Sequence, residues 1–419
     1  MRIRQAGLVA YIATAHGLIH TIELTYAALL SRIGDEFGVS LLVLGIVANG
    51  FAFTFGFSAL PSGLLVDRLG TQRVLFIAFS LAAVTSLLVA TSPNPALLGL
   101  FLGLLGLSIG LYHPAGISFI AQATTQRGLA LGWHGVVGNI GVAIAPALAV
   151  GVAEAAGWRW AYVLLAVLAS LVALSLRIVR FELPAAVPAL ALDAEAETDL
   201  EPEPPLMAAR RSFLPLLLVY GVFVLNGFVY RGSLTFLPKH IEDHLHVSWF
   251  GLDEAWLASS LTTLALLAGA VGQLVGGTLS ERYRLERLAV PLTFSMMPFL
   301  LLIGLSSGLP LVLFAALFVF ANFSGQPVYT GLIADYSPQR ALGRSYGISF
   351  FAAFGIGSSA ATVAGFFADR WGTDAVYQVL AGFVLLTLTL SITIWRLSER
   401  SHRETPPHRE TPGATWGGE

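Results

Sequence analysis

The chain has no cysteine, which excludes disulfides, thiol catalysis and iron–sulfur clusters. Charge is scarce too. Charged residues make up 11% of the 419 and the net charge is −2, where a soluble domain carries about 25% charged residues. A nearly neutral chain offers no basic surface for nucleic acid. The motifs of several enzyme classes are also missing: there is no nucleotide-binding glycine loop, no His-Glu-x-x-His and no nucleophile elbow. Nothing calls for a cofactor or a resident metal, and transport driven by ATP would need a separate subunit. No long soluble domain interrupts the chain, as a membrane receptor or scaffold would favour. These absences point away from an enzyme.

What is present is apolar. Hydrophobic residues make up 56% and the mean hydropathy is +0.76. The excess is spread over most of the chain, in segments long enough to cross about 30 Å of hydrocarbon at about 1.5 Å per helical residue. They run Leu8–Ile33, Leu41–Val66, Val74–Thr91, Ala96–Gln122, Leu129–Ala153 and Trp160–Val179, then Phe213–Leu237, Ala255–Leu279, Leu288–Ser306, Leu311–Ala334, Tyr346–Ala368 and Val376–Trp395. Arg2 and Arg4 before Leu8–Ala15 have the form of a signal peptide, but the apolar stretch continues to Ile33 and more spans follow. The expectation is an all-α polytopic membrane protein with twelve transmembrane helices. Its parts are a six-helix unit at 1–180, an acidic linker at 181–212, a second six-helix unit at 213–397 and a solvated tail at 398–419. The linker carries Asp193, Glu195, Glu197, Asp199, Glu201 and Glu203 and is too polar to bury itself.

Orientation follows from basic residues. With both termini in the cytoplasm, eighteen arginines fall on the inner side and four basic residues (Arg32, Arg159, Lys239 and Arg370) fall outside. A bacterial inner membrane and a monomer are expected. The two units repeat: Pro114, Gln126, Arg127 and Trp158 recur 213 positions later as Pro327, Gln339, Arg340 and Trp371, and Asp35, Val39 and Ser40 recur 208 positions later as Asp243, Val247 and Ser248. Such a parallel repeat fits a carrier whose site lies between its halves.

Between the second and third spans stands Gly63-Leu-Leu-Val-Asp67-Arg68-Leu-Gly70-Thr-Gln-Arg73. Gly63 permits close helix approach and Gly70 a tight reversal. Asp67 suits a helix N-terminus, and Arg68 and Arg73 suit carboxylates or lipid phosphates. The spacing G-x-x-x-D-R-x-G resembles the loop between helices two and three of the major facilitator superfamily. The resemblance covers all but the linker and tail, and it implies two six-helix halves and alternating access. Gly277-Thr-Leu-Ser-Glu281-Arg282 stands where that family repeats the loop in weaker form. With Arg340 and Arg344 the two loops are expected to form a cytoplasmic gate. Gly365-Phe-Phe-Ala-Asp369-Arg370-Trp-Gly372 has similar letters but falls on the outer side, so the gate role is not carried there.

The fifth span holds Gly132, Gly135, Gly138 and Gly141, then Ala145-Pro146. It is similar to the family's antiporter signature, with Ala145 in place of a glycine; close packing of small residues alone explains the same stripe. The fourth span lacks the arginine that many proton-coupled drug exporters of the family carry. It has Tyr112-His113-Pro114 instead, which resembles the fosmidomycin-resistance branch of exporters.

Polar groups inside the bilayer usually face a cavity. His16, His20 and Glu23, at i, i+4 and i+7, share one helical face. Arg231 is the counterpart of Glu23 by the 208 shift. The pair is expected to face across the central site, either as a static lock or as a switch. Without Arg231 beside it Glu23 would hold a proton, with Arg231 it would be ionised, and His20 and His16 could relay protons. The same residues offer ligands for a transported metal ion. His113, His134, Asn139, Asn226, Tyr230, Asn322, Gln326 and Tyr329 are further candidates for the cavity wall. The expected function is secondary active transport, foremost proton-coupled antiport that exports a small organic compound or drug. The alternative is proton-coupled import of a small organic acid or metabolite.

Overall fold

The computed structural model describes residues 5–123, 127–178, 213–245, 254–337 and 342–404. The expected linker therefore lies outside the described residues, and so do Arg340 and most of the expected tail. Every regular element among the described residues is helical. They are α1 (Gln5–Ala28), α2 (Leu30–Phe37), α3 (Leu41–Leu69), α4 (Thr71–Ala90), α5 (Pro95–Gly110), α6 (Tyr112–Ala123), α7 (Arg127–Ala156) and α8 (Trp158–Ile178). After these come α9 (Phe213–His244), α10 (Glu254–Arg282), α11 (Leu285–Ile303), α12 (Gly308–Tyr336), α13 (Leu342–Phe350), a π-helical turn (Phe351–Ile356), α14 (Ser359–Trp371) and α15 (Thr373–Glu404).

A bilayer admits only helices or closed barrels, because each backbone N–H and C=O must be satisfied inside the protein, and long unbroken apolar runs satisfy theirs as helices. Among the described residues, eleven helical spans are long and apolar enough to cross a membrane. Leu64, Val84, Leu100, Leu171, Leu264, Leu313 and Leu386 project from their outer faces. The first helix, α1, is the remaining crossing. Its His16, His20 and Glu23 make it less apolar, yet it is interior: Ile12, Ala15, Ile19 and Ile22 are fully buried.

The fourth and eleventh spans are broken. Pro114 has no N–H to give the carbonyl four residues back, and α5 stops at Gly110 before α6 begins at Tyr112. In the eleventh span, α13, the π turn and α14 share one crossing. The chain's end also differs from expectation. α15 continues to Glu404, so the stretch from Ser398 starts as helix. Ser398 and Glu399 are tied down there: Arg284 donates to both, and Arg287 donates to Glu399.

Helices α1 to α8 pack chiefly on one another, as do α9 to α15. Three seams join the sets, α7 against α10, α3 against the π turn and α14, and α1 against α9. Small residues set these distances. A Cβ on Gly45 or Gly365 would strike backbone of α14 or α3 respectively. Gly70 ends α3 with φ +81°, and Gly372 ends α14 with φ +83°. The two loops with matching letters thus make the same one-residue reversal, at conformations that favour glycine.

Candidate functional site

The site is built on α1. Gly141 of α7 sits against the backbone of Gly17, and a Cβ on Gly138 would collide with the ring of His16. These two glycines bring α7 close enough for Thr21 to donate a hydrogen bond to the Gly141 carbonyl, 3.1 Å. The imidazole of His134 then stacks on that of His16, with centroids 3.7 Å apart and planes 8° apart. The break at Leu111 lets α6 turn Tyr112 and His113 inward. The Tyr112 hydroxyl donates to the Ile12 carbonyl, 2.6 Å, and His113 meets His16 edge-on at 5.2 Å.

A polar chain runs through the cluster. His16 Nδ1 lies 2.8 Å from the His134 carbonyl, His16 Nε2 lies 3.0 Å from His20 Nε2, and His20 Nδ1 lies 2.5 Å from Glu23 Oε2. The other carboxylate oxygen of Glu23 forms an ion pair with Arg231 of α9. Both side chains are buried: Glu23 is 3% exposed and Arg231 6%. The sequence expectation that this acid and base face each other is met in the geometry. The guanidinium also sits among three rings, Phe354 at 5.4 Å, Phe55 at 5.6 Å and Tyr230 at 5.7 Å, and cation–π attraction adds to its retention there. A cavity of about 20 Å³ beside the pair is lined by Glu23, Tyr26, Phe51, Arg231 and Thr235, among others. That holds roughly one water.

The other expected wall residues divide. Asn139 donates to Gln273 of α10, so it bridges the α7–α10 seam. Gln273 was not among the candidates, although a lone amide in an apolar helix beside Gly272 and Gly276 was a usable signal. Tyr329 does not face the Glu23–Arg231 cavity. Its hydroxyl bonds Thr293 and lies 3.5 Å from Ser391, within a separate apolar cluster. Asn322 also packs inside the second set, with Nδ2 3.6 Å from the Met296 sulfur. The Asn226 Oδ1 is buried without a partner, and Gln326 is half-buried. Gly132 and Gly63 approach no neighbour within 4 Å of where a Cβ would stand. The close helix approach expected of both is therefore corrected; Gly138 and Gly141 supply it in α7. Gly277 is equally open, and Pro146 lies inside α7 without ending it.

At one end of the bundle the two sets are bonded together. The Asp369 carboxylate accepts from Leu41 N at 2.8 Å and Leu42 N at 2.9 Å, so the end of α14 caps the start of α3. Ser31 donates to Glu242, 2.5 Å, and Ser358 to Asn49, 2.8 Å. Sequence reasoning set Asp369 aside because it falls on the side opposite Asp67. A carboxylate followed by the free N–H groups of a distant helix leaves no local pattern to read. Nearby, Glu36 of α2 is held by Trp158 at 2.5 Å and Arg159 at 2.7 Å. Burial alone would raise its carboxyl, but the bonds from Arg159 and Trp158 and the arginine charge outweigh this and hold it below its ordinary value. At the opposite end, Arg68, Arg73, Glu281 and Arg282 are exposed. Among the described residues none of them forms an ion pair across the sets, and the side chains of Asp67 and Arg344 lie outside that description.

A helical membrane bundle with a buried acid–base pair where its two sets of helices meet is the architecture expected of a carrier. The family model of the Major Facilitator Superfamily matches residues 12–362 and 250–418, and the chain belongs to that family. A probable sulfoacetate transporter from Cupriavidus necator is 27% identical over 272 residues, 63% of this chain and 61% of that protein. A probable L-galactonate transporter from Escherichia coli is 24% identical over 165 residues, 39% of this chain and 36% of that protein. The matches therefore span about a third to three fifths of these relatives' lengths. Among solved structures, an inward-facing bacterial homolog of the human lysosomal transporter Spinster superposes with a TM-score of 0.71 at 14% identity, covering 96% of this chain and 99% of that one. The peptide transporter POT in complex with sulfate superposes at 0.69 with 15% identity, covering 94% and 95%. These likenesses show the fold.

Proposed function

We propose that this chain is a proton-coupled carrier of a small organic anion, a carboxylate or a sulfonate, which moves cargo and proton in the same direction. The observation that carries this reading is the buried Glu23–Arg231 pair across the α1–α9 seam. An anion entering the site competes with Glu23 for the Arg231 guanidinium. Once the anion takes the guanidinium, Glu23 is a buried carboxylate without its counter-charge, and removing one partner of a buried pair costs about 3–5 kcal/mol. Protonation relieves that cost. Anion and proton therefore occupy the same state, which makes symport the natural outcome and antiport of an anion the unnatural one. A proton from solvent that reaches His20 Nε2, directly or by way of His16 Nε2, releases the Nδ1 proton of His20 to Glu23 and leaves His20 neutral. The relatives named for sulfoacetate and galactonate support an anionic cargo. The resident cavity is too small for one, so admission requires the α7–α10 and α3–α14 seams to part in turn. The outer end, with both termini inside, is the end bonded by Asp369.

The test uses proteoliposomes with a pH-sensitive dye inside. Sulfoacetate, galactonate and related acids are added outside, along with a lipophilic amine. Acidification driven by an anion, lost in Arg231→Gln, supports the reading. Acidification driven only by the amine, or anion movement with no proton flux, refutes it.

A further inference from the structure

The partners of His16 and His20 fix which nitrogen carries the proton in each neutral ring. A backbone carbonyl can only accept, so His16 Nδ1 donates to the His134 oxygen. The Glu23 carboxylate, already paired with Arg231, accepts from His20 Nδ1. Both Nε2 atoms are then bare lone pairs, and they point at each other across 3.0 Å. Two acceptors do not bond each other; something positive belongs between or beside them. His113 supplies a third nitrogen. Its Nε2 is buried with no hydrogen-bond partner, on a side chain that is 7% exposed. One nitrogen from each of the three rings lies within 4.8 Å of the others.

We propose that His16, His20 and His113 form a binding site for a divalent transition-metal ion of the zinc, cobalt or nickel class. Imidazole nitrogens suit these ions. At metal–nitrogen distances of about 2.0–2.1 Å, two tetrahedral ligands stand roughly 3.3 Å apart, close to the spacing found. The supports that a metal-bound histidine needs are already built: a carbonyl behind His16 and a carboxylate behind His20, each fixing its ring and tautomer. Three protein ligands leave a fourth position for water. His134 and Tyr112 stack alongside and contribute no ligand to the group. The Glu23 charge offsets that of Arg231, so the ion meets no uncompensated cation. A second cluster, His240, His244 and Asp374, also has ligand-like spacing. There both nitrogens of His240 are already engaged, by Thr373 and the Ile303 carbonyl, so it serves as the control.

The experiment titrates purified full-length protein in detergent with cobalt chloride. The expected result is the intense visible absorption of tetrahedral cobalt, at one ion per chain, removed by zinc and untouched by magnesium. His113→Gln and His16→Gln lose the band, while His244→Gln keeps it, with elution on a sizing column checking the fold of each. Copper bound to the unaltered protein gives an independent reading by electron paramagnetic resonance, where coupling to three imidazole nitrogens is expected. Absence of the band, its survival in His113→Gln, or coupling to fewer than two nitrogens overturns the proposal and leaves a shared proton between His16 and His20. None of these readings involves transport, so they test the metal site apart from the anion carrier; a bound ion would occupy the Nε2 atoms through which His16 hands a proton to His20, and that relay belongs to the metal-free protein.

Discussion

Replacing Asp369 with alanine tests whether the cap it places on α3 holds one end of the carrier shut. Two N–H···O bonds, 2.8 and 2.9 Å long, join a carboxylate of α14 to the first free amides of α3. Loss of a capping side chain costs about 0.5–2 kcal/mol, and the favourable charge at a helix N-terminus accounts for about 0.3–1 kcal/mol of such effects. Asp369 is exposed, so salt screens part of this, and the lower half of the range applies. A net loss of about 1 kcal/mol, confined to the conformation in which α3 and α14 touch, shifts the open-to-closed ratio roughly fivefold. The cysteine-free chain makes this measurable. A single cysteine at Ala28, which lines a small cavity at the bonded end, can be labelled in vesicles with a membrane-impermeant maleimide. The labelling rate should rise by about that factor in Asp369→Ala, and by less in Asp369→Asn, which keeps one acceptor. High salt should narrow the difference. A rate in Asp369→Ala equal to that of the parent would refute the latch.

Other expected outcomes follow from the same structure. Glu23→Gln leaves Arg231 buried without its partner, so the melting temperature should fall by the equivalent of about 3–5 kcal/mol; in proteoliposomes it should keep anion exchange and lose its response to a pH gradient. Normal pH-gradient dependence in this variant would rule out Glu23 as the coupling group. Gly141→Val drives a side chain into the Gly17 backbone. It should destabilise by about 1–3 kcal/mol and loosen the stack of His134 on His16, read as a lower thermal midpoint and weaker cobalt binding. Glu36 has a carboxyl held below its ordinary value, so its contribution is present at neutral pH, begins to fade as pH falls through the ordinary carboxylate value, and is gone below the depressed one. Thermal unfolding followed against pH should show that acid-side loss in the parent and a flatter profile in Glu36→Gln.

The helices were legible because length and apolarity suffice to mark a crossing, and the boundaries of α4 and α8 fall within a few residues of those expected. The breaks were harder. Pro114 advertised one, but nothing in Phe351–Ile356 announces the π turn that packs there against α3 and α9. The Glu23–Arg231 pair was readable because an acid and a base in apolar helices have few places to go, and the internal repeat set them at equivalent positions. The histidine cluster was readable only in part. Spacing put His16 and His20 on one face, but no spacing joins them to His113 and His134, which reach them through a broken helix and a glycine contact. Tyr329 and Asn322 misled for a related reason: a polar group in a membrane helix is as well served by a neighbouring helix as by a cavity.

The ring of Phe55, Tyr230 and Phe354 around Arg231 bears on fuel economy. A carrier driven by an ion gradient wastes that gradient whenever the ion slips through unaccompanied. Here the charged tip of Arg231 is walled by aromatic faces from both sets of helices, and the space beside it admits roughly one water. The cavity beside the pair is too small to hold a file of water molecules. Under the proposed coupling, the rings keep water from the guanidinium and leave the His16–His20–Glu23 chain as the proton's route, with the Arg231 charge opposing its last step until cargo draws that charge away.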